Sequence, residues 1–143
     1  MKTGDGVKEV TDKTIHPSIR ELLSFATSVG RVVQEYESYI NNPSKMLFKM
    51  ELEGEIVGCI GIEERPFNEC EITHIAVASL HRGNGIGSKM IEFVSDRYSL
   101  VSAETDADAV EFYRKYGFKI ESVGEKYPGV ERFLCEYIKG KEE

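Results

Sequence analysis

The chain has 143 residues, of which 41% are hydrophobic and 30% charged, which suits one globular domain over residues 1–143. Its net charge of −7, from 25 acidic and 18 basic side chains, argues against nucleic acid as a partner, because the phosphate backbone would be repelled. No segment approaches the roughly 18 uninterrupted apolar residues of a membrane span, and no apolar export signal opens the chain, so a cytoplasmic protein without membrane contact is expected.

Cysteine and histidine do not indicate a metal site. Cys59, Cys70 and Cys135 share no metal-ligand spacing, and each lies in or beside an apolar run. We therefore expect reduced thiols in or near the core. The histidines form no HxxxH or Cys–His cluster, so no metal cofactor is expected.

The first part of the chain predicts a short strand and two helices. Residues 7–10 have strand character, and residues 18–40 repeat apolar side chains at helical spacing. Gly30 is expected to divide the helical stretch in two, and residues 41–43 end the second helix. Residues 46–52 and 56–62 then predict two strands, joined by a hairpin turn at Glu53-Gly54-Glu55.

The middle of the chain predicts a strand, a turn and a helix. A loop at residues 65–68 leads to a β-branched strand at 71–77. A glycine-rich turn follows, and then an amphipathic helix that extends to about Tyr98. Residues 100–103 predict another strand.

The last part of the chain predicts a helix and two strands. Asp108 and Glu111 match a capping box, although Asp106 is an equal candidate for the cap. Gly117 occupies the position where a left-handed residue commonly ends a helix. Two strands follow at residues 118–122 and 132–138, separated by a turn at 127–129.

The most informative feature is the turn at residues 82–87, Arg-Gly-Asn-Gly-Ile-Gly, between strand and helix. Its glycines allow the backbone to approach a ligand closely, and the amides that open the helix point together at one anion. This combination predicts a site for a pyrophosphate. The alternative is a glycine-rich connection that binds nothing.

Three phosphate-binding motifs compete for this turn. A Walker loop requires a lysine that is missing from the appropriate position. The dinucleotide motif fails because Ser88 occupies its third glycine position and because the turn lies in the middle of the chain. The pattern Arg/Gln-x-x-Gly-x-Gly/Ala is satisfied by Arg82, Gly85 and Gly87.

Residues 77–90 resemble motif A of the GNAT superfamily, the Gcn-related N-acetyltransferases. A second match, Asp-x-x-Ala-x-x-Phe-Tyr-x-x-x-Gly-Phe over residues 106–118, is similar to that family's later helix signature. The two motifs have the order and separation found in the family. The clear resemblance covers about residues 47–137, and the helices before Pro43 match only in arrangement.

The resemblance implies an α+β fold with a mixed, mostly antiparallel sheet flanked by helices, whose fourth and fifth strands splay apart. Acetyl-CoA would lie in that opening, with its pantetheine arm along the fourth strand and its pyrophosphate on the amides of the turn. For Arg82, a cationic contact and a solvated surface position both stay open. The coenzyme-binding residues implied are Ile75, Ala76, Val77, Arg82, Gly83, Asn84, Gly85, Ile86, Gly87 and Ser88.

Acetyl transfer to an amine depends more on a base than on an acid. An alkyl ammonium has a pKa near ~10.4, so forming the free amine at pH 7 costs roughly 4–5 kcal/mol. The thiol that leaves has a pKa near ~8.5, and only about 2 kcal/mol is at stake there.

Glu71 and Glu104 are the carboxylate candidates for the base. Glu71 stands where histone-type members of the family carry their catalytic glutamate, and strand alternation places it on the face of Ile75 and Val77. A solvated carboxylate at the strand end is the alternative. Glu104 follows on the facing strand. His74 has a suitable pKa but lies on the opposite face unless a bulge resets the alternation, and a water chain without a single base also stays open.

Tyr113 matches the tyrosine that faces the coenzyme sulfur as general acid in many family members, although its helical stripe also suits core packing. Asp106 stands where the family commonly has asparagine. A carboxylate can cap the helix but repels phosphates, so no coenzyme contact is carried over to it. The oxyanion is expected to bind a backbone amide of the fourth strand.

The sequence thus predicts an N-acetyltransferase that moves the acetyl group of acetyl-CoA to a primary amine of a small molecule or a protein by direct attack on the thioester. The alternative is a non-catalytic acetyl-CoA sensor or interaction module. The acceptor pocket is expected between the first two helices and the loops at residues 65–69 and 127–130. These segments contain no motif that identifies the amine. Family members commonly pair, so a homodimer is a further expectation.

Overall fold

The computed structural model describes residues 6–139, which build an α+β fold. The strands in this range are β1 (Gly6–Glu9), β2 (Lys45–Leu52), β3 (Glu55–Arg65), β4 (Glu69–Val77), β5 (Leu100–Asp106), β6 (Lys119–Tyr127) and β7 (Val130–Tyr137). The α-helices are α1 (Pro17–Ala26), α2 (Val32–Asn41), α3 (Ile86–Ser95) and α4 (Val110–Tyr116).

The strands form one sheet in the order β1-β2-β3-β4-β5-β7-β6. Neighbouring strands are antiparallel except β4 and β5, which are parallel. The β4–β5 pairing covers only Glu69 with Leu100 through Glu71 with Ser102, and beyond these pairs the two strands are no longer hydrogen-bonded to each other. The expected mixed, mostly antiparallel sheet with splayed fourth and fifth strands is therefore confirmed.

A hydrophobic core covers each face of the sheet. On one face, α3 and α4 contribute side chains such as Met90 and Val94 of α3, which pack with Ile60 of β3. On the other face, α1 and α2 contribute Leu23 and Val32, which pack with the sheet around Leu47. The opening between β4 and β5 therefore lies between two helical layers that are held in place by separate cores.

The three cysteines are free and fully enclosed by these cores. Cys59 lies in the α1–α2 core, whereas Cys70 and Cys135 lie in the α3–α4 core. Burial raises the pKa of the Cys59 and Cys70 thiols to about 12. Their predicted core positions are confirmed.

Glycines lie at two of the predicted connections, the β2–β3 hairpin turn and the division between α1 and α2. In the β2–β3 turn, Glu53 and Gly54 have φ of 52° and 83°, the pair of positive values that a two-residue hairpin requires. Gly30 lies in a short 3₁₀ turn, Val29–Arg31, which separates α1 from α2. Both predictions are confirmed.

Some element ends differ from the prediction. Helix α3 ends at Ser95 and not at about Tyr98, because its last turn tightens: the Arg97 amide donates to the Val94 carbonyl at 2.9 Å. Strand β6 extends to Tyr127, beyond the predicted residue 122. Almost every side chain of β6 is exposed, so no hydrophobic alternation marked its second half.

Strand β4 contains a bulge at Thr73. Gly61 of β3 pairs with His74, whereas the next residue of β3, Ile62, pairs with Ile72. Thr73 is therefore one extra residue in β4, and the alternation of side chains changes phase there.

The bulge corrects the predicted faces of β4. Ile72 and Ile75 are separated by an odd number of positions, yet both pack in the α3–α4 core. His74 instead contacts the α1–α2 layer, where it is bonded to a tyrosine of α2. The prediction that Glu71 shares a face with Ile75 and Val77 is wrong, since Glu71 precedes the bulge and points to the opposite face.

Candidate active site

The glycine turn joins the end of β4 to the start of α3. Gly83 and Gly85 have φ of 84° and 80°, a region that glycine adopts without strain. Gly85 caps α3 without a side chain, and the first bond within the helix runs from the Lys89 amide to the Gly85 oxygen at 3.0 Å. The amides before Lys89 have no acceptor within the helix, so an anion can accept from them.

A cavity of about 540 Å³, here called the turn cavity, lies against this turn and the end of β4. The predicted coenzyme-binding residues that line it are Ile75, Ala76, Val77, Arg82, Gly83, Gly85, Ile86, Gly87 and Ser88. Asn84 is not among the lining residues. The structure thus brings these residues together, and their contact with a coenzyme stays a prediction.

Gly87 allows α3 to begin directly against α4. A Cβ at this position would lie 3.0 Å from the ring of Phe112, closer than ordinary side-chain contacts. The glycine therefore brings the opening turn of α3 next to the helix that carries Tyr113.

Arg82 holds the turn against its surroundings. Its Nε donates to the Val77 carbonyl at 3.0 Å, and its guanidinium lies 4.9 Å from the ring centre of Phe25 on α1. Arg82 is therefore bound to β4 and α1, although both it and Phe25 also line the turn cavity.

A second cavity of about 480 Å³, the splay cavity, lies where β4 and β5 separate. The polar side chains in its wall include Thr73 and His74 from β4, Glu104 from β5, Tyr113 from α4 and Arg132 from β7. The two cavities adjoin, because both are lined by the same three residues, Phe25, Ile75 and Phe112.

Tyr113 is 5% exposed and packs against the rings of Phe112 and Phe118 at 5.2 and 5.1 Å between centroids. Burial raises the pKa of its phenol well above the usual 10. The protonated phenol can act as a hydrogen-bond donor, and Tyr113 lines the splay cavity while its ring belongs to the core.

Glu104 lies in the splay cavity but is neutralised by two cations. Lys126 Nζ is 3.0 Å from its Oε2, and Arg132 Nε donates to the same oxygen at 3.2 Å. The hydrogen bond from Lys126, followed by the one from Arg132, lowers the pKa of this carboxyl. An ion-paired carboxylate of low pKa is a weak base.

Glu71 does not line either cavity. It lies where β4 and β5 are still paired, and its carboxylate accepts a hydrogen bond from Arg65 of the neighbouring strand. The structure therefore does not bring Glu71 together with Glu104 and Tyr113, and its role as the base stays a prediction.

Asp106 stabilises the turn before α4. Its Oδ1 accepts from the amides of Asp108 and Ala109, each at 3.1 Å. Of the two predicted caps, Asp106 is thus the one whose side chain bonds the backbone. Because Asp106 also lines the splay cavity, it adds negative charge to the wall of that cavity.

Sequence reasoning missed the environment of His74 and Tyr39. The Tyr39 hydroxyl lies 2.5 Å from His74 Nδ1 and is also bonded to Thr73 Oγ1. Burial lowers the pKa of His74 below its usual 6.5, although Glu35 opposes this. The one available signal was Gly61, because a glycine inside an apolar strand marks a close approach.

The part of the chain that the structure describes shows neither a metal site nor a membrane-spanning helix. No group of three or more His, Cys, Asp or Glu side chains there is arranged to hold a metal ion. None of its helices is both long and apolar enough to cross a membrane.

Known proteins share this sequence pattern and this fold. Residues 43–120, more than half of the chain, match the model of the acetyltransferase (GNAT) domain. An uncharacterised N-acetyltransferase in the lysA 3′ region of Bacillus methanolicus is 32% identical over 96 residues, which are 63% of this chain and 80% of that protein.

Solved structures show the same fold. A GNAT family acetyltransferase from Elizabethkingia anophelis with acetyl-CoA bound has a TM-score of 0.71 and 23% identity, over 96% of this chain and 99% of that chain. An aminoglycoside 6′-N-acetyltransferase complexed with coenzyme A has a TM-score of 0.78 and 16% identity, over 96% of this chain and 98% of that chain. With the two sequence motifs and the splayed sheet, the match of the domain model confirms that the chain belongs to the GNAT acetyltransferase family.

Proposed function

We propose that this protein transfers the acetyl group of acetyl-CoA to a primary amine of a small molecule or a protein by direct attack on the thioester. The observation that carries this proposal is the contact between the two cavities, which share Phe25, Ile75 and Phe112. A thioester held in the turn cavity is thereby presented to an amine in the splay cavity.

The residues of the turn cavity suit acetyl-CoA. The unpaired amides at the start of α3 match a pyrophosphate. Gly83 and Gly85 have no side chain that could cover these amides, and their positive φ values favour glycine at both positions. The structural relatives with acetyl-CoA or coenzyme A bound support the same ligand here.

Tyr113 is the proton donor in this proposal. Its neutral phenol protonates the departing coenzyme thiolate, and a backbone amide of β4 holds the oxyanion. The position of Tyr113 in the wall of the splay cavity and the raised pKa of its phenol support this role. The carboxylates predicted as bases are both ion-paired, Glu104 with Lys126 and Arg132, and Glu71 with Arg65.

The acceptor site in this proposal is the splay cavity, which the end of α1 borders with Phe25 and Ala26 but to which the loops at residues 65–69 and 127–130, expected to line the acceptor pocket, contribute no lining residue. Glu104 and Asp106 border it together with Arg132, so an amine finds carboxylates nearby but no large excess of negative charge. The relatives that share the fold include an aminoglycoside 6′-N-acetyltransferase and a spermidine N-acetyltransferase chimera, and both named substrates carry several amino groups. We include homodimer formation in this proposal, for which β6 offers one of the two outer edges of the described sheet.

A thiol-release assay tests the proposal. Acetyl-CoA is mixed with the protein and a panel of primary amines that includes a polyamine, an aminoglycoside and a peptide with a free terminus. Release of free coenzyme A with at least one amine is expected, together with stabilisation against heat by acetyl-CoA but not by ATP or NAD. Binding of acetyl-CoA without turnover on any amine would instead identify a coenzyme-binding module.

A further inference from the structure

A short chain of hydrogen bonds leads from the splay cavity into the α2 layer. Thr73 is a residue of the cavity wall, and its Oγ1 is bonded to the Tyr39 hydroxyl, which lies 2.5 Å from His74 Nδ1. The other ring nitrogen, His74 Nε2, lies 3.9 Å from Glu35 Oε1. The transfer reaction proposed above uses none of these groups.

The backbone of β3 and β4 is shaped around this chain of bonds. The bulge at Thr73 turns two consecutive side chains, Thr73 and His74, toward the same hydroxyl. Opposite them, a Cβ at Gly61 would overlap the Tyr39 hydroxyl. Tyr39 is 5% exposed and reaches the bulge only because β3 has a glycine there.

The neighbours of His74 set the direction of the hydrogen bonds. Glu35 carries negative charge, since its hydrogen bond to Arg31 at 2.8 Å lowers the pKa of the carboxyl. A carboxylate beside Nε2 favours the tautomer with the proton on Nε2, which leaves Nδ1 as an acceptor. Tyr39 then donates to His74, Thr73 donates to Tyr39, and the lone pairs of Thr73 are left to accept from the cavity.

We propose that Thr73, Tyr39 and His74 form a proton relay that takes the proton of the acceptor ammonium out of the splay cavity. The ammonium N–H bond breaks as its proton passes to Thr73 Oγ1, the Thr73 proton passes to the Tyr39 oxygen, and the Tyr39 proton passes to His74 Nδ1. The amine is left neutral with its electron pair free, and His74 becomes an imidazolium beside Glu35. Its Nε2 proton then leaves to solvent past Glu35, which is partly exposed.

The charges around His74 suit this task. Burial lowers its pKa, so the ring is neutral and able to accept a proton at pH 7. The charged groups that face it are Glu35, which favours the imidazolium, and Lys45 and Arg31, which oppose it. The lowered pKa makes the imidazolium release its proton quickly, and Glu35 limits the cost of forming it.

This inference rests on the proposed transfer to an amine, and substitutions within the relay test it. Tyr39→Phe and Thr73→Val remove one hydroxyl each with little change of shape, and Thr73→Ser keeps the hydroxyl. Tyr36→Phe is the matched control, because Tyr36 is a buried tyrosine of the same helix whose hydroxyl donates to the Asp12 carbonyl at 2.6 Å. The kcat/KM for the best alkyl amine of the panel is measured as a function of pH.

We expect Tyr39→Phe and Thr73→Val to lower kcat/KM for the amine about 100-fold at pH 7, with an unchanged KM for acetyl-CoA. The rate of both variants should then climb about tenfold per pH unit above pH 7, because they depend on the free amine, whereas the wild type stays nearly flat. Thr73→Ser should recover most of the rate that Thr73→Val loses, because it restores the hydroxyl, and Tyr36→Phe should match the wild type at every pH.

Other outcomes overturn the relay. A loss that is the same at every pH would show a merely structural role for the hydroxyls, and an unaltered Tyr39→Phe enzyme would show that the proton leaves by another route. Nitrogen NMR of His74 gives a readout without turnover, and a proton on Nδ1 would reverse the proposed direction. Wild-type turnover is measured first. Absence of wild-type turnover would contradict the proposed function, whereas wild-type turnover with unaltered variants would contradict only the relay.

Discussion

At the scale of single residues, Tyr113→Phe tests the proton donor. The phenol stays protonated because burial raises its pKa, and protonation of a thiolate leaving group is worth only about 2 kcal/mol at pH 7. We expect kcat to fall about tenfold to 30-fold, with little change in the affinity for acetyl-CoA, measured by steady-state kinetics and calorimetry.

The same helix offers a matched control for this substitution. Tyr116 packs against Phe118 and Tyr137 and lines neither of the two cavities, so Tyr116→Phe should keep the wild-type kcat. An equal loss in both variants would point to destabilised packing of α4. An unchanged kcat in Tyr113→Phe would mean that the thiolate leaves without this donor.

Among the residues, the sequence identified Tyr113 and Glu104 but did not show their surroundings. Tyr113 was marked by its position in a motif and Glu104 by its position on the facing strand, and both line one cavity. The salt bridges of Glu104 come from Lys126 and Arg132, 22 and 28 residues away, and no local pattern encodes contacts at that separation. The ion pair of Glu71 likewise depends on how β3 and β4 are paired, which the sequence alone does not give.

At the scale of elements, the sequence was sufficient to predict the glycine turn but not the bulge of β4. The turn is a local feature, since the φ of Gly83 and Gly85 and the helix start are fixed by adjacent residues. The bulge depends on which residue of β3 faces His74, and a strand pattern alone does not set that register. Because β4 has apolar residues on both faces, its sequence pattern also gave no sign that the alternation of side chains shifts at Thr73.

Gly85→Asp tests the turn as an anion site. The substitution places a side chain and a negative charge where the free amides of α3 begin, and it forces an L residue to adopt a φ of 80°. We expect the affinity for acetyl-CoA to fall more than about 100-fold, measured by calorimetry, which corresponds to about 2.7 kcal/mol.

Gly129→Asp separates the effect of strain from that of the ligand site. Gly129 has a φ of 78° in the β6–β7 turn. As at Gly85, a Cβ at this position would have no other atom within 4 Å. This variant should suffer similar backbone strain yet bind acetyl-CoA like the wild type. Undiminished binding by Gly85→Asp would refute the placement of the pyrophosphate.

At the scale of the whole molecule, ion-paired carboxylates make the fold less stable at acid pH. The pKa values of Glu35, Glu51 and Glu104 are lowered from 4.5, mainly because each carboxylate accepts a hydrogen bond from a cationic side chain. Each therefore stabilises the fold above about pH 4.5, and this stabilisation is lost as pH falls through the lower folded-state value. Solvent screens all three pairs, so each contribution is small.

His74 acts at higher pH and yields a separate prediction for the whole molecule. Its folded pKa is lowered from 6.5, so below about pH 6.5 the unfolded chain binds a proton that the folded chain does not. The free energy of unfolding should therefore fall as pH is lowered from about 7 to about 5, by up to about 1.4 kcal/mol per pH unit from this group. Urea unfolding across that window should show a shallower slope for His74→Gln than for the wild type, because the other histidines contribute equally to both proteins. Equal slopes would mean that His74 takes up its proton as readily in the folded protein as in the unfolded chain.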